Sequence, residues 1–240
     1  MSASDRPAAA ARSGAPAPTA RRAGFLGVLM LDTRFPRLPG DVGHAASFAM
    51  PVRHRVVRGA SAQRVVRQGD AALLPDFVDA ARALVAAGAT AITTSCGFMA
   101  RWQAELQAAV AVPVWTSSLL LLAELAPLRP GVVTVDAAAL DGDLLRAAGA
   151  DPATPVQGLD PGSALVRTLL EDRPELDVRA AEATAVQAAL ALVRRHPGTG
   201  AIVLECTNLP PYAQAIERAS GRPVLHLLTL VHRRWVPGGR

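Results

Sequence analysis

The chain has 240 residues, half of them apolar, enough to bury a sizeable core within one two-lobed protein. All 25 basic residues are Arg, and the absence of lysine excludes a Schiff-base lysine, a lysine aldolase and a Walker A phosphate loop. The net charge of +5 points to nucleic acid only until it is located: residues 1–23 hold four Arg against one Asp, Arg233, Arg234 and Arg240 close the chain, and the body between is slightly acidic with few aromatic rings for base stacking.

In chain order, residues 1–23 are rich in Ala, Pro, Arg and Ser without apolar periodicity and read as a disordered tail. Apolar or β-branched runs bounded by Gly or Pro predict strands near 25–31, 52–57, 90–95, 112–116, 131–135, 155–159, 201–205 and 223–227. Helices are predicted near 75–87, 98–110, 118–127, 138–148, 162–172, 178–195, 210–219 and 228–235, several opening on Pro, Ser or Asp. This alternation predicts an α/β fold of mainly parallel sheets flanked by helices, with ligands beyond the carboxyl ends of the strands. The run Gly24 to Leu31 reads as a first strand rather than a signal peptide, and Glu124 and Pro127 break the Leu119–Leu125 run. We therefore expect no membrane segment, a cytoplasmic location and free thiols.

The two cysteines occupy matching frames, Ala91-Ile92-Thr93-Thr94-Ser95-Cys96 and Ala201-Ile202-Val203-Leu204-Glu205-Cys206, and each is followed 17 residues later by Pro-Val. Upstream, Gly27-Val28-Leu29-Met30-Leu31-Asp32 is echoed by Gly131-Val132-Val133-Thr134-Val135-Asp136. This diverged duplication predicts two pseudo-symmetric lobes that present one thiol each to the cleft between them. The expected division is 24–118 with 213–240 for the first lobe and 119–212 for the second, the strand near 223–227 returning to the first. A lone buried cysteine is usually a small hydrophobe. Two at equivalent strand ends, each before a helix whose amino terminus stabilises a thiolate, point to paired acid/base chemistry.

Asn208 and Tyr212, the only residues of their types, lie beside the second thiol in Glu205-Cys206-Thr207-Asn208-Leu209-Pro210-Pro211-Tyr212. That string, Thr93-Thr94-Ser95-Cys96-Gly97-Phe98 and Leu31-Asp32-Thr33-Arg34-Phe35-Pro36 resemble the cofactor-independent aspartate/glutamate/hydantoin racemase superfamily over roughly Gly24 to Trp235. The resemblance implies a racemase or epimerase needing no cofactor and no metal. One thiolate would remove the proton next to a carboxylate or carbonyl, and the opposing thiol would return one. One thiol must then be lowered from about 8.5 towards neutrality while the other stays protonated.

Carried over residue by residue, Cys96 and Cys206 are the acid/base pair, Asp32 assists a thiol, and Thr207 donates to a substrate carboxylate. Gly97-Phe98 stands where amino-acid racemases commonly have Asn-Thr, and Asn208 replaces a His. We therefore expect a substrate with one acidic or carbonyl group and an apolar or cyclic remainder, such as a hydantoin, to be preferred over free glutamate. Arg34 is a candidate carboxylate clamp, Gly97, Ser117 and Asn208 are candidate substrate contacts, and Glu205 is a tuner of the adjacent thiol. The five His residues show no metal-ligand spacing with the cysteines. The expected partner is a small molecule with a carboxylate or carbonyl, with no nucleic acid and no membrane; a homo-oligomer is left open. A maleate-type isomerase, an arylmalonate-type decarboxylase and a non-catalytic small-acid-binding protein stay open as alternatives. Cys96 argues against the decarboxylases, which lack the first of the paired cysteines.

Overall fold

Strands that are apolar on both faces need cover on both faces, and the chain supplies it by winding helices around two parallel sheets. The computed structural model describes residues 24–236, so the tail expected at 1–23 lies outside the described residues. The first sheet comprises β1 (Phe25–Leu31), β2 (Val52–Val57), β3 (Ala89–Thr94) and β4 (Val114–Trp115) in the order β2-β1-β3-β4. The second comprises β5 (Pro130–Thr134), β6 (Val156–Gly158), β7 (Ala201–Leu204) and β8 (Val224–Leu225) in the order β6-β5-β7-β8. All pairings are parallel. The central strands β1, β5 and β7 are buried along their whole length.

The duplication extends to register. Ile92 pairs with Val114 and Thr93 with Trp115, and the same pairings recur as Ile202 with Val224 and Val203 with Leu225, displaced by the interval that separates Cys96 from Cys206. The strand-end bonds repeat too: Ser95 N–H donates to the Leu29 carbonyl and Glu205 N–H to the Val133 carbonyl, both at 2.9 Å.

This repeat corrects the expected lobe boundary. β8 was expected to return to the first lobe, yet it pairs with β7 in the second sheet. The crossover through α6 (Ala213–Ser220), which packs on α5 (Val178–Arg195), lands it there as α2 (Gln103–Ala109) lands β4 beside β3. What reaches back is α7 (Leu227–Arg234), which packs against a short 3-10 turn at Ser118–Leu121 and carries the Arg234–Glu124 ion pair.

The remaining helices are α1 (Leu74–Ala86), α3 (Gly142–Ala147) and α4 (Ala164–Leu170). Asp141, Ser163 and Asp177 cap α3, α4 and α5 with side-chain oxygens that accept from backbone N–H groups, the role their positions in the sequence suggest. The helix expected at 98–110 begins as a 3-10 run, Gly97–Trp102, before α2. The one expected at 118–127 breaks into two 3-10 turns, because Pro127 withdraws a donor and restrains Ala126. A π-helical turn at Gln63–Arg67 has no counterpart in the predicted elements; it turns Val65 and Val66 inward. No helix among the described residues is long and apolar enough to cross a membrane.

Candidate active site

Each sheet ends a central strand on a thiol. Cys96 leaves β3 with extended backbone (φ −151°) and caps the Gly97–Trp102 run, and its carbonyl accepts from the Met99 N–H at 3.1 Å. At Cys206 the carbonyl accepts from Leu209 N–H at the same distance. Both cysteines are free and buried. They line one interlobe cavity of about 30 Å³ with Phe35, Phe98, Leu169 and Leu170 among the apolar walls. That volume holds about one or two water molecules, so the cavity is narrow.

The lobes are sewn together beside the thiols. Thr207 Oγ1 donates to the Ser95 carbonyl at 2.6 Å, Val42 N–H donates to the Thr207 carbonyl at 3.3 Å, and Ser118 Oγ donates to the Leu204 carbonyl at 2.7 Å. Thr207 lines the cavity as expected, but its hydroxyl holds the two cysteine turns in register rather than facing a ligand.

Asn208 also lines the cavity, and a buried network fixes its orientation. Its Nδ2 donates to Asp41 Oδ2 at 2.5 Å, which leaves Oδ1 facing Cys206 Sγ at 3.6 Å as acceptor of the thiol proton. Asp41, only 2% exposed, also accepts from Gly43 N–H at 2.6 Å and pairs with Arg37 at 3.0 Å. Arg37 in turn donates to Thr33 Oγ1 and stacks over the Phe35 ring, 4.4 Å from its centroid. The sequence reading missed Asp41 and Arg37. Their signal was an i,i+4 charge pair inside a Pro/Gly-rich loop, where charges are ordinarily solvated.

Glu205 is fully buried. Its Oε2 accepts from Thr134 Oγ1 at 2.7 Å, while Oε1 has no partner. A methyl group on Gly97 would sit 2.3 Å from both Glu205 Oε1 and the Glu205 carbonyl oxygen, so glycine at 97 is a matter of space. Burial pushes the Glu205 carboxyl from 4.5 to about 8, against the Thr134 hydrogen bond and the Arg101 charge. Burial and then Glu205 push Cys96 up to about 12, against the Phe98 N–H, Arg101 and Arg37. The same two causes raise Cys206 well above its ordinary value; the Asn208 N–H opposes them, and Cys96 and Asp41 add to them. Neither thiol is lowered towards neutrality by the residues around it.

Three expected site residues lie elsewhere. Asp32 is exposed at the end of β1, where its Oδ2 accepts from Gly59 N–H at 3.0 Å and latches the turn after β2. Arg34 is spent on Asp172 of the second lobe, with Nε to Oδ2 at 3.1 Å. Ser117 is buried and caps the 118–121 turn, accepting from Leu119 N–H at 3.2 Å. A strand-end position says where a residue sits, not which way its side chain turns. Of the expected set the cavity gathers Cys96, Gly97, Cys206, Thr207 and Asn208. Among the described residues no cluster of three His, Cys, Asp or Glu has the arrangement to hold a metal ion.

Two parallel four-stranded sheets flanked by helices form a two-lobed fold that solved racemase structures share. The chain superposes on allantoin racemase from Klebsiella pneumoniae with a TM-score of 0.60 at 18% identity, covering 86% of this chain and 83% of that one. No family model matches the sequence. Dimethylsulfoniopropionate lyase 3 of Emiliania huxleyi (strain CCMP1516) is 34% identical over 230 residues, covering 85% of this chain and 57% of the lyase. A dimethylsulfoniopropionate lyase of Durusdinium sp. clade D is 30% identical over 219 residues, covering 83% of this chain and 70% of that protein. The chain belongs to the family of these lyases. It spans about 57% of the length of the first relatives it matches.

Proposed function

We propose that the chain is a carbon-acid enzyme whose paired cysteines act next to a carboxylate, and that its reaction is elimination from a β-sulfonium carboxylate such as dimethylsulfoniopropionate. The observation that carries the reading is that Cys96 and Cys206 line one narrow cavity. Relatives 34% and 30% identical are dimethylsulfoniopropionate lyases, which supports the substrate class.

In this reading Cys96 is the base. Cys206 holds its proton on Asn208 Oδ1, and the Cys96 charge and Asp41 act against its ionisation, whereas Arg101 and Arg37 favour a thiolate at Cys96. The Cys96 thiolate takes the proton from the carbon beside the carboxylate. That electron pair forms the C=C bond of acrylate, the Cβ–S bond breaks, and its pair leaves on sulfur as neutral dimethyl sulfide. Cys96 then returns its proton to solvent. The Phe98 and Asn208 N–H groups favour negative charge on Cys96 and Cys206 respectively, which supports a thiolate base. Burial and Glu205 raise both thiols strongly, and a sulfonium in the cavity would supply the positive charge that a thiolate there requires. The Phe35 and Phe98 rings offer it cation–π contact.

Racemisation or epimerisation of an amino acid or hydantoin-like substrate is the second reading, favoured by one observation: two thiols face the cavity where elimination requires one base. The two separate on one measurement. The protein incubated with dimethylsulfoniopropionate in D₂O should yield acrylate and dimethyl sulfide, with loss of product in Cys96→Ser and a smaller loss in Cys206→Ser. Deuterium uptake at Cα of amino acids or hydantoins, with no acrylate from the sulfonium compound, would replace the lyase reading by the racemase one.

A further inference from the structure

Glu205 lines the cavity with the two thiols, and the reaction above gives it no task. Its carboxyl is fully buried, a single side-chain donor reaches one oxygen, and the other oxygen is pressed against the bare Cα of Gly97 without a partner. A buried carboxylate ordinarily collects several donors or a cation, because an ionised group in low dielectric is otherwise very costly. A neutral acid has no such need. We propose that Glu205 is a positioning residue that stays a neutral carboxylic acid during turnover and, by carrying no charge, permits the neighbouring thiol to ionise.

The groups facing it come from three directions. Thr134 approaches from the end of β5, Arg101 from the 3-10 run after Cys96, and the two thiols from the ends of β3 and β7. Arg37 and Asp41, from the loop after β1, act on the thiols. Glu205 is the largest charged influence on each thiol, and its sign is unfavourable to a thiolate at both. Its ionisation, near pH 8, therefore sets an alkaline limit on the reaction. Gly97 belongs to the same device, since any side chain there would displace the carboxyl from its slot.

The inference rests on the carbon-acid reading, and the test separates the two. Glu205→Gln keeps the shape and the acceptor for Thr134 while removing the ionisation. Its kcat/KM on dimethylsulfoniopropionate should match wild type near pH 7 and exceed it progressively above pH 8, reaching about tenfold, the equivalent of one pKa unit, by roughly pH 9.5. A variant-to-wild-type ratio flat across pH, or a folded but inactive Gln variant, would overturn the proposal. Two readouts need no substrate. Infrared difference spectra of ¹³C-glutamate-labelled wild type should show a carboxylic-acid C=O band at pH 6.5 that disappears on raising the pH and is absent from the Gln variant. Iodoacetamide should alkylate Cys96 faster in the Gln variant at high pH. Absence of the band, or equal alkylation, would overturn the role of Glu205; absence of turnover in wild type, with band and alkylation as expected, would overturn only the carbon-acid reading.

Discussion

Asp172 of the second lobe accepts three hydrogen bonds from consecutive residues of the first: the Arg34 N–H at 2.5 Å, the Arg34 Nε at 3.1 Å and the Phe35 N–H at 3.3 Å. It does so from a left-handed backbone, φ 56°, just beyond α4, whose Leu169 and Leu170 line the cavity opposite Phe35. The guanidinium is the exposed and replaceable part of this clasp, and the carboxylate is the part that closes the cleft.

Arg34→Ala should therefore cost less than about 1 kcal/mol of stability and change kcat/KM only a few-fold, since an exposed ion pair is weak and both backbone donors remain. Asp172→Ala, which strips all three bonds, should raise KM more than it lowers kcat. Steady-state kinetics beside urea unfolding decide it. A loss of several hundredfold in Arg34→Ala would restore Arg34 as a carboxylate clamp.

Gly97→Ala should fail for reasons of space. The added methyl meets both the Glu205 carbonyl and Oε1, and overpacking a filled core costs about 1–3 kcal/mol. Glu205→Ala relieves only the side-chain half of that clash, so the double variant should recover part of the stability and none of the alkaline limit. Full recovery of stability would show that the backbone clash relaxes freely.

Asp41 holds Asn208 in the orientation that takes the Cys206 proton, and it neutralises Arg37 in a buried pair. Asp41→Ala removes one partner and should cost about 3 kcal/mol, measured as a fall in ΔG of unfolding. Asn208→Ala leaves the ion pair intact and should instead speed alkylation of Cys206 with little loss of stability. A large destabilisation by Asn208→Ala would make the amide a structural rather than a chemical element.

Two buried groups give opposite pH limbs of stability. Burial, with a contribution from His232, lowers His226 from 6.5 to about 4, and its buried Nδ1 has no partner. The folded chain then binds fewer protons than the unfolded one in that window. Its contribution is present above pH 6.5 and is lost as pH falls towards 4. Glu205, raised from 4.5 to about 8, is most favourable below 4.5, and its contribution is lost as pH rises to about 8. Urea midpoints across pH should show His226→Gln flattening the acid limb and Glu205→Gln the other, each by a slope of at most about 1.4 kcal/mol per pH unit. Parallel wild-type and variant profiles would assign those limbs to other groups.

Periodicity and repetition made the sheets legible, because strands buried on both faces leave continuous apolar runs and the duplicated frames carry their register with them. The repeated frames also carried both thiols to the cleft, whereas Gly97, Thr207 and Asn208 line the cavity as neighbours of those thiols in the sequence. The misplaced residues share another cause. Asp32, Arg34 and Ser117 also follow strands, but their side chains satisfy Gly59, Asp172 and Leu119, partners set by tertiary approach. β8 was misassigned because a two-residue strand carries too little pattern to name its neighbour, although its Pro-Val frame already matched that of β4. Asp41 lay in a loop with no periodicity, and its burial follows from Asn208 and Arg37 closing over it.

The repeated register has one consequence beyond architecture. Two identical halves around a twofold axis are bound to give their two thiols the same surroundings, and so the same acidity. Once both copies run in a single chain that constraint is gone, and each thiol acquires its own neighbours. Glu205 occupies the position of Ser95, so one copy contributes a carboxyl where the other contributes a hydroxyl that accepts from the Leu31 N–H. Asn208 and Phe98 stand at matching places with opposite polarity. The repeated backbone shapes both sides of the pocket, and the side chains that break the repeat give the two thiols different surroundings.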